Sequence, residues 1–337
     1  MKIEIITTEN ETLKENGFGT LAVCTNILNT LKVSHDNARM NICKSEEDLE
    51  KVLKRKPDLV ILAVKYLELK NKSNILLCEY FKKHNINYTG CEKDVLKYDS
   101  NKALAKSFLR RKGINTADYF IANPKEYKEK DFPLEFPVFL KPVNTANSYG
   151  IDDFSLANNF KEYESKILSL YNLFKEPILV EKYLDGREFT VAIIKKDENE
   201  LLVSAIEILA SNSESKHNIL SERVKRENNE KLLVIEDSIL KGKIEKIAQD
   251  TFRHLDIRDY GRIDIKTNKE GECFFLEINL IPGMNERSDY FPRAFKLTQD
   301  INYDKVLEMM VDSAMQRVSV INTDISDSIE LRVSANN

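Results

Sequence analysis

The chain has 337 residues, of which 42% are hydrophobic and 31% charged, which is enough for two or three domains with ordinary cores. Its formal net charge is −4, with acidic and basic residues interleaved, so we expect no nucleic-acid partner. No stretch approaches roughly 18 uncharged apolar residues and the N-terminus lacks a signal-peptide core, so we expect no membrane span. The five cysteines form no CxxC pair, which favours reduced thiols and a cytoplasmic location.

Strand-like and helix-like segments alternate through the first part of the chain, residues 1–92. Residues 58–64 (DLVILAV) form a continuous apolar run, which is typical of a strand covered on both faces. The alternation predicts a small α/β domain built on a parallel sheet. The predicted elements are strand 2–7, helix 46–55, strand 58–64, helix 73–84 and strand 86–89.

The rest of the chain has an α+β pattern, which we divide into a central lobe at 93–177, a C-terminal lobe at 178–320 and a tail at 321–337. In the central lobe the predicted elements are helix 99–112, strand 136–141, a turn-prone segment at 142–150 and helix 159–173. In the C-terminal lobe they are strands 178–183, 188–196 and 201–209, helix 232–255, strands 258–267 and 272–280, and helix 303–317. The long polar segment 210–231 predicts a functional or disordered loop.

A predicted hairpin near the end of the C-terminal lobe carries a candidate metal site. Side chains alternate along a strand, so Glu277 and Asn279 share one face of their strand, and Arg262 and Asp264 share one face of theirs. Pairing the strands would bring two carboxylates and an amide together, and these are oxygen donors suited to Mg²⁺. Arg262 would add fixed positive charge for a transferring phosphoryl group. The same spacing also fits the exposed face of an ordinary hairpin, and spacing alone leaves both interpretations open.

Two further patterns are compatible with a nucleotide site. Lys102 lies on the basic helix, and Lys141 ends a strand before the turn-prone segment, whose backbone N–H groups could bind phosphates. The stretch 181–191 (EKYLDGREFTV) could form an adenine-binding edge, with Glu188 accepting hydrogen bonds from ribose hydroxyls. Taken singly, the lysines are better explained as surface residues, and the stretch as an ordinary edge strand with a turn.

The order of these pieces resembles the ATP-grasp superfamily, and within it the D-alanine–D-alanine ligase family. The resemblance covers about residues 86–300, and the N-terminal domain matches only weakly. It implies an ATP-grasp fold with an N-terminal parallel α/β domain and two α+β lobes. The stretches that carry it are NKALAKSFLRRKGI, FPVFLKPVNTANSYGI, ILVEKYLDGREFTVAI, YGRIDIK and FFLEINLIPGMNERSDYFP.

The resemblance assigns a role to each matching position. It implies nucleotide contacts from Lys102, Lys141, Ser148, Glu181, Tyr183, Leu184 and Glu188. It implies Mg²⁺ ligation, for which Mn²⁺ can substitute, by Asp264, Glu277 and Asn279. For the reaction it implies Arg262 as transition-state stabiliser, the Gly283 N–H at the oxyanion, Ser288 at the carboxylate of the second substrate, and Lys216 as the phosphate-contacting lysine of a lid at 210–231.

The implied activity is an ATP-dependent carboxylate–amine ligation of small amino-acid or carboxylic-acid substrates through an acyl phosphate, by an enzyme that can form a homodimer. The first-substrate half departs from the family pattern. Where D-alanine ligases carry a His-Gly…Gly-Glu-Asp-Gly segment, this chain has VKYLELKNKSN at 64–74, and His217 stands where many relatives have a tyrosine. We therefore expect a first substrate other than D-alanine. The alternatives are an authentic D-alanine–D-alanine ligase and a non-catalytic nucleotide-binding regulatory protein.

Overall fold

The fold was analysed in a computed structural model, which describes residues 1–9, 17–69, 72–145, 148–210, 220, 223, 227 and 229–317. Lys216, most of the polar segment 210–231 and the tail 321–337 therefore lie outside the described residues. Among the described residues, no helix combines the length and the apolar character needed to cross a membrane.

The N-terminal part is built on a three-stranded parallel sheet of order β2-β1-β3. Every residue of β3 is buried, which confirms the interpretation of its apolar run. The predicted helix 73–84 begins later, at Leu77, because residues 75–76 pair with 66–67 instead. The elements are β1 (Ile3–Thr7), α1 (Leu21–Leu31), β2 (Arg39–Ile42), α2 (Glu46–Lys54), β3 (Leu59–Leu62), β4 (Tyr66–Leu67), β5 (Ile75–Leu76) and α3 (Leu77–Lys83).

The central part contains a four-stranded antiparallel sheet of order β6-β9-β7-β8. The predicted helix 99–112 is interrupted at Asn101: residues 99–100 end one helix and a second helix begins at Lys102. The Asn101 backbone is extended, and its side chain caps the second helix at the Leu104 N–H. The elements are α4 (Lys93–Ser100), α5 (Lys102–Arg111), β6 (Tyr119–Ala122), β7 (Val138–Pro142), β8 (Leu156–Ala157), α6 (Phe160–Phe174) and β9 (Ile178–Lys182), with short 3₁₀ turns at Glu129–Asp131 and Asp153–Ser155. Strand β9, predicted from the sequence to belong to the C-terminal lobe, pairs within this central sheet. The division of the chain between 177 and 178 stays a prediction.

The C-terminal part is a five-stranded antiparallel sheet of order β12-β11-β10-β13-β14. The predicted helix 232–255 was wrong at its start: residues 230–234 pair with β11, and the helix begins at Ser238, where the Asp237 side chain caps it. The elements are β10 (Glu188–Lys195), β11 (Leu201–Ala210), β12 (Glu230–Val234), α7 (Ser238–His254), β13 (Tyr260–Thr267), β14 (Cys273–Asn279), α8 (Tyr290–Gln299) and α9, a helix over 303–317.

The core places the polar face of the β13–β14 hairpin toward the cleft. Ile263, Ile265 and Ile278 are buried in one apolar cluster that also contains Phe252 of α7. Because neighbouring side chains on a strand point to opposite faces, the charged residues between them must lie on the side away from α7. The turn after β14 is held from the N-terminal part, since the Met284 N–H donates to the Phe18 carbonyl oxygen at 2.9 Å.

Candidate active site

The register of β13 and β14 brings the hairpin's polar residues together. Arg262 pairs with Asn279, and Asp264 pairs with Glu277. The expectation that these side chains share one face is therefore met in the structure. A shift in register follows Asp264, before Ile265, and such β-bulges re-aim side chains next to functional sites.

Asp264 is held by donors from three strands. Its Oδ1 accepts from the Thr190 hydroxyl at 2.6 Å and from Arg262 Nε at 3.1 Å, and its Oδ2 accepts from Arg262 Nη2 at 3.0 Å and Asn279 Nδ2 at 3.3 Å. Burial opposes the charge on Arg262, but the Asp264 carboxylate outweighs it and raises the pKa of the guanidinium. The Arg262 guanidinium also lies 5.5 Å from the Tyr290 ring centroid. Arg262 is therefore a fixed cation.

Glu277 lies beside the first lysine of α5. Lys102 Nζ is 3.5 Å from Glu277 Oε2, and it also donates to the backbone carbonyl of Thr145. The Asn101 cap places Lys102 at the start of the helix, facing inward. Burial lowers the pKa of Lys102, while the Glu277 carboxylate acts against that effect. The Lys102–Glu277 pair therefore connects the central part of the chain to the hairpin face that carries the candidate metal ligands.

A buried group of three charges underlies the cleft. Glu181 Oε1 is 2.6 Å from Lys106 Nζ, and Glu181 Oε2 is 2.6 Å from Lys141 Nζ. Lys106 also donates to the Phe275 carbonyl oxygen at 3.1 Å, and its side chain is fully buried. Burial lowers the pKa of Lys106 to about 8. Desolvation opposes ionisation of Glu181, but the two ammonium groups prevail and lower the pKa of that carboxyl. Glu181 thus holds Lys106 and Lys141 in place, and its expected contact with the adenine stays a prediction.

A cleft runs between the central and C-terminal sheets. Its walls include Phe139, Ile151 and Leu276, which give it an apolar part. Lys266 donates to Glu188 Oε2 at 3.0 Å, so the acid expected at the ribose is paired with a lysine. Of the residues singled out from the sequence, those lining the cleft are Lys141, Ser148, Glu181, Tyr183, Leu184, Glu188, Asp264 and Glu277.

Gly283 and Ser288 lie in the loop that follows β14. A Cβ atom at Gly283 would come within 2.5 Å of Asp289 Oδ2, so only glycine fits there without displacing that carboxyl group. The Asp289 carboxylate accepts the Asn285 N–H at 2.6 Å. Arg293 Nη1 donates to the Ser288 carbonyl oxygen at 3.3 Å. Gly283, Ser288 and Asp289 are each half-buried, so this loop presents an accessible polar surface.

The candidate metal ligands fit a hard divalent cation by donor type. Asp264, Glu277 and Asn279 offer two carboxylates and an amide oxygen, the donors that suit Mg²⁺. Among the described residues, no group of three or more His, Cys, Asp or Glu side chains could hold a metal ion. A site here would therefore depend on the Asn279 amide and on ligands from substrate phosphates. Arg262 and Lys102 already balance the two carboxylates.

Three residues of the site were not anticipated from the sequence. Thr190, Lys106 and Lys266 each bond to a residue that was singled out. A signal existed for Lys106, which lies four residues after Lys102 and therefore on the same helix face. A signal also existed for Lys266, which lies two residues after Asp264 and shares its strand face. Both lysines resemble ordinary surface charges until the fold buries them.

The fold and the cleft together define an ATP-grasp ligase, an enzyme that forms carbon–nitrogen bonds. The chain belongs to the D-alanine–D-alanine ligase family, because the family model described as "D-ala D-ala ligase C-terminus" matches residues 108–312. A D-alanine–D-alanine ligase from Aquifex aeolicus is 28% identical over 265 residues, covering 77% of this chain and 84% of the relative. Another from Thermosipho africanus is 27% identical over 257 residues, covering 74% of this chain and 68% of the relative.

Solved structures show the same fold. The crystal structure of the Bacillus anthracis D-alanine–D-alanine ligase complexed with ATP superimposes with a TM-score of 0.71 at 20% identity, covering 94% of this chain and 97% of that one. The VanG D-Ala:D-Ser ligase from Enterococcus faecalis gives a TM-score of 0.66 at 18% identity, covering 93% and 98%. These likenesses confirm the expected α/β ATP-grasp architecture.

Proposed function

We propose that the protein is an ATP-dependent carboxylate–amine ligase that forms a peptide or amide bond through an acyl phosphate. The observation that carries the proposal is the charged face on which Arg262, Asp264 and Asn279 are hydrogen-bonded together, with Glu277 and Lys102 beside them. In the free protein these opposite charges neutralise one another. When ATP and its metal ion bind, the cationic side chains would interact with the phosphates and the carboxylates with the metal ion.

In the proposal, ATP lies along the cleft between the two sheets. The base contacts the apolar walls and the backbone near Tyr183 and Leu184, and Glu188 binds the ribose. Lys102 and Lys141 reach the phosphates, where positive charge is needed most. The relative solved with ATP supports this part of the proposal by its fold.

The reaction then proceeds in two steps. A carboxylate oxygen of the first substrate attacks the γ-phosphorus of ATP, the bond to the β-phosphate oxygen breaks, and ADP leaves an acyl phosphate. The amine of the second substrate attacks the acyl carbon, and phosphate departs. Arg262 stabilises the transferring phosphoryl group, and the Gly283 N–H stabilises the oxyanion. Mg²⁺, when bound by Asp264, Glu277 and Asn279, would neutralise phosphate charge.

The first substrate is proposed to differ from D-alanine. In the stretch 64–74, where the family carries its glycine-rich acidic segment, Lys65 is buried and its Nζ lies 3.0 Å from Asp99 Oδ2. The Leu280 N–H donates to the same Asp99 oxygen at 3.1 Å, so the ion pair connects this stretch to the end of β14. A buried lysine–aspartate ion pair differs chemically from the glycine-rich acidic segment of the family. If ATP is hydrolysed and an amide bond is formed only with D-alanine as substrate, the result would favour an authentic D-alanine–D-alanine ligase instead.

A phosphate-release assay across amino acids and small carboxylic acids, singly and in pairs, tests the proposal. With Mg²⁺ and ATP, we expect at least one pair to release phosphate well above background and to yield an amide detectable by mass spectrometry. The proposal fails if ATP binds but no carboxylate stimulates its turnover, which is the behaviour of a nucleotide-binding regulatory protein.

A further inference from the structure

Asp289 occupies the N-cap position of α8 but does not cap it. An aspartate at this position usually accepts an N–H from the first turn of its helix, yet Asp289 makes no such side-chain bond. Its carboxylate turns back instead, accepts the Asn285 N–H at 2.6 Å, and lies flat against Gly283. A Cβ atom built on Gly283 would be 2.5 Å from Oδ2 and 3.0 Å from Oδ1. The loop therefore holds a carboxylate beside the proposed oxyanion donor.

The surroundings of Asp289 contain charges of both signs. Burial raises the pKa of the Asp289 carboxyl and Glu230 reinforces that effect, while the Asn285 N–H, Arg262 and Arg293 act against it. Asp289 is half-buried, so its side chain is not sealed off from solvent. The Asp289 carboxylate lies against Gly283 and is within the electrostatic influence of Arg262, which favours a role in proton exchange.

We propose that Asp289 binds the ammonium group of the second substrate and accepts one of its protons before the amine attacks. The inference rests on the proposed ligase function and deepens it. Ser288, proposed to bind the carboxylate of the second substrate, is the preceding residue, and adjacent Cα atoms are about 3.8 Å apart. The ammonium and carboxylate of an α-amino acid are attached to one carbon, so neighbouring residues can receive both groups.

The proton transfer balances with the ligation step. The ammonium gives one proton to an Asp289 oxygen, which leaves a lone pair on the nitrogen. That lone pair forms the new bond to the acyl carbon, the bond from that carbon to the phosphate oxygen breaks, and phosphate leaves with the electron pair. The nitrogen's second proton leaves with the departing phosphate, and Asp289 returns its proton to solvent.

The variant Asp289→Asn tests the proposal, because its amide oxygen can still accept the Asn285 N–H. Glu286→Gln is the matched control, since Glu286 is an exposed carboxylate in the same loop. The donor and acceptor are the amino-acid pair that releases most phosphate in the screen, and hydroxylamine replaces the acceptor in a parallel assay. Hydroxylamine is a largely unprotonated nucleophile at neutral pH and needs no base.

We expect Asp289→Asn to form the amide roughly 10²-fold more slowly while forming the hydroxamate at the wild-type rate. Glu286→Gln should match the wild type with both nucleophiles. Equal loss with both nucleophiles, or no loss with either, would overturn the role of Asp289. If the wild type itself makes no hydroxamate from any carboxylate, the ligase proposal fails, and that outcome is distinct from the others.

The pH dependence of the wild type gives a second test that does not require a folded variant. With an internal base, kcat/KM for the amine acceptor should reach a plateau below the pKa of the amine. If the enzyme uses only free amine from solution, kcat/KM should instead rise about tenfold per pH unit up to that pKa. A rise of that kind would contradict the proposal even if Asp289→Asn proved unstable.

Discussion

The Asp264 carboxylate accepts two hydrogen bonds from the guanidinium of Arg262, at 3.1 and 3.0 Å, across a separation of two residues on one strand. Such a forked pair fixes both the position and the plane of the guanidinium. The Thr190 hydroxyl, from the adjacent strand, holds the same carboxylate at 2.6 Å. The strand alternation thus places an acid and a cation side by side, and Asp264 lines the cleft.

Replacing Glu277 by Gln should weaken the metal site without unfolding the protein. The change keeps the side chain's size but removes one of the two carboxylate charges of the donor set. We expect the Mg²⁺ concentration for half-maximal phosphate release to rise by at least about 10–100-fold, the range known for residues that support metal ligands. A Mg²⁺ titration measures this, with Glu270→Gln in the exposed turn of the same hairpin as control. An unchanged Mg²⁺ requirement would remove Glu277 from the site.

Replacing Lys106 by Met should destabilise the protein and weaken ATP binding. Breaking a buried ion pair costs about 3–5 kcal/mol, and we expect the lower end because Glu181 keeps Lys141 as a partner. Urea unfolding measures the free energy, and the KM for ATP reports the displacement of Lys141. Lys112→Met, at the exposed end of the same helix, should change neither quantity. If Lys106→Met is as stable as the wild type, the ion pair of Lys106 with Glu181 contributes nothing to the free energy of unfolding.

Replacing Gly283 by Ala should impair ligation more than nucleotide binding. The added methyl group would collide with the Asp289 carboxyl, so that side chain and the loop must move. Because Gly283 and Asp289 are not among the residues that line the proposed nucleotide cleft, we expect kcat to fall while the KM for ATP is retained. Gly242→Ala is the control: its Cβ meets nothing within 4 Å, and alanine in a helix should stabilise the fold by about 0.5–1 kcal/mol. Normal ligation by Gly283→Ala would show that the close contact between Gly283 and the Asp289 carboxyl is not needed for the reaction.

The pKa of Lys106, lowered by burial to about 8, predicts a pH effect on stability. Between pH 8 and the ordinary lysine value of 10.5, the unfolded chain binds more protons at this site than the folded chain does. The contribution of Lys106 to the free energy of unfolding should therefore increase with pH across that window. Denaturant titrations at several pH values measure it. Lys106→Met should lack this increase relative to the wild type, and identical slopes would contradict the assignment.

The hairpin was predictable because two-residue alternation fixes which side chains share a face, and two antiparallel strands then bring those faces together. This is why Asp264, Glu277 and Asn279 could be grouped before the structure was known. The interior lysines were not predictable in the same way. Lys106 lies on a basic amphipathic helix that, by charge alone, looks solvated, and only the contact of α5 with β14 and Glu181 buries it.

The errors in the secondary-structure predictions have local causes. Residues 232–234 continue an apolar pattern compatible with a helix, but pairing with β11 extends the sheet there until Asp237 caps α7. Asn101 interrupts a pattern that is amphipathic throughout 99–112, because its side chain caps the following turn rather than continuing the preceding one. In both places a side chain that bonds to backbone N–H groups sets the boundary, and periodicity does not report such bonds.

The transfer of an oxygen atom from substrate to phosphate tests the central claim most directly. The first substrate is labelled with ¹⁸O in its carboxylate and incubated with ATP, Mg²⁺ and the second substrate. If the enzyme forms an acyl phosphate and then an amide, each released phosphate carries one ¹⁸O atom, and phosphate and amide appear in equal amounts. Unlabelled phosphate, or phosphate released without amide, would contradict the account of this protein as an ATP-dependent carboxylate–amine ligase.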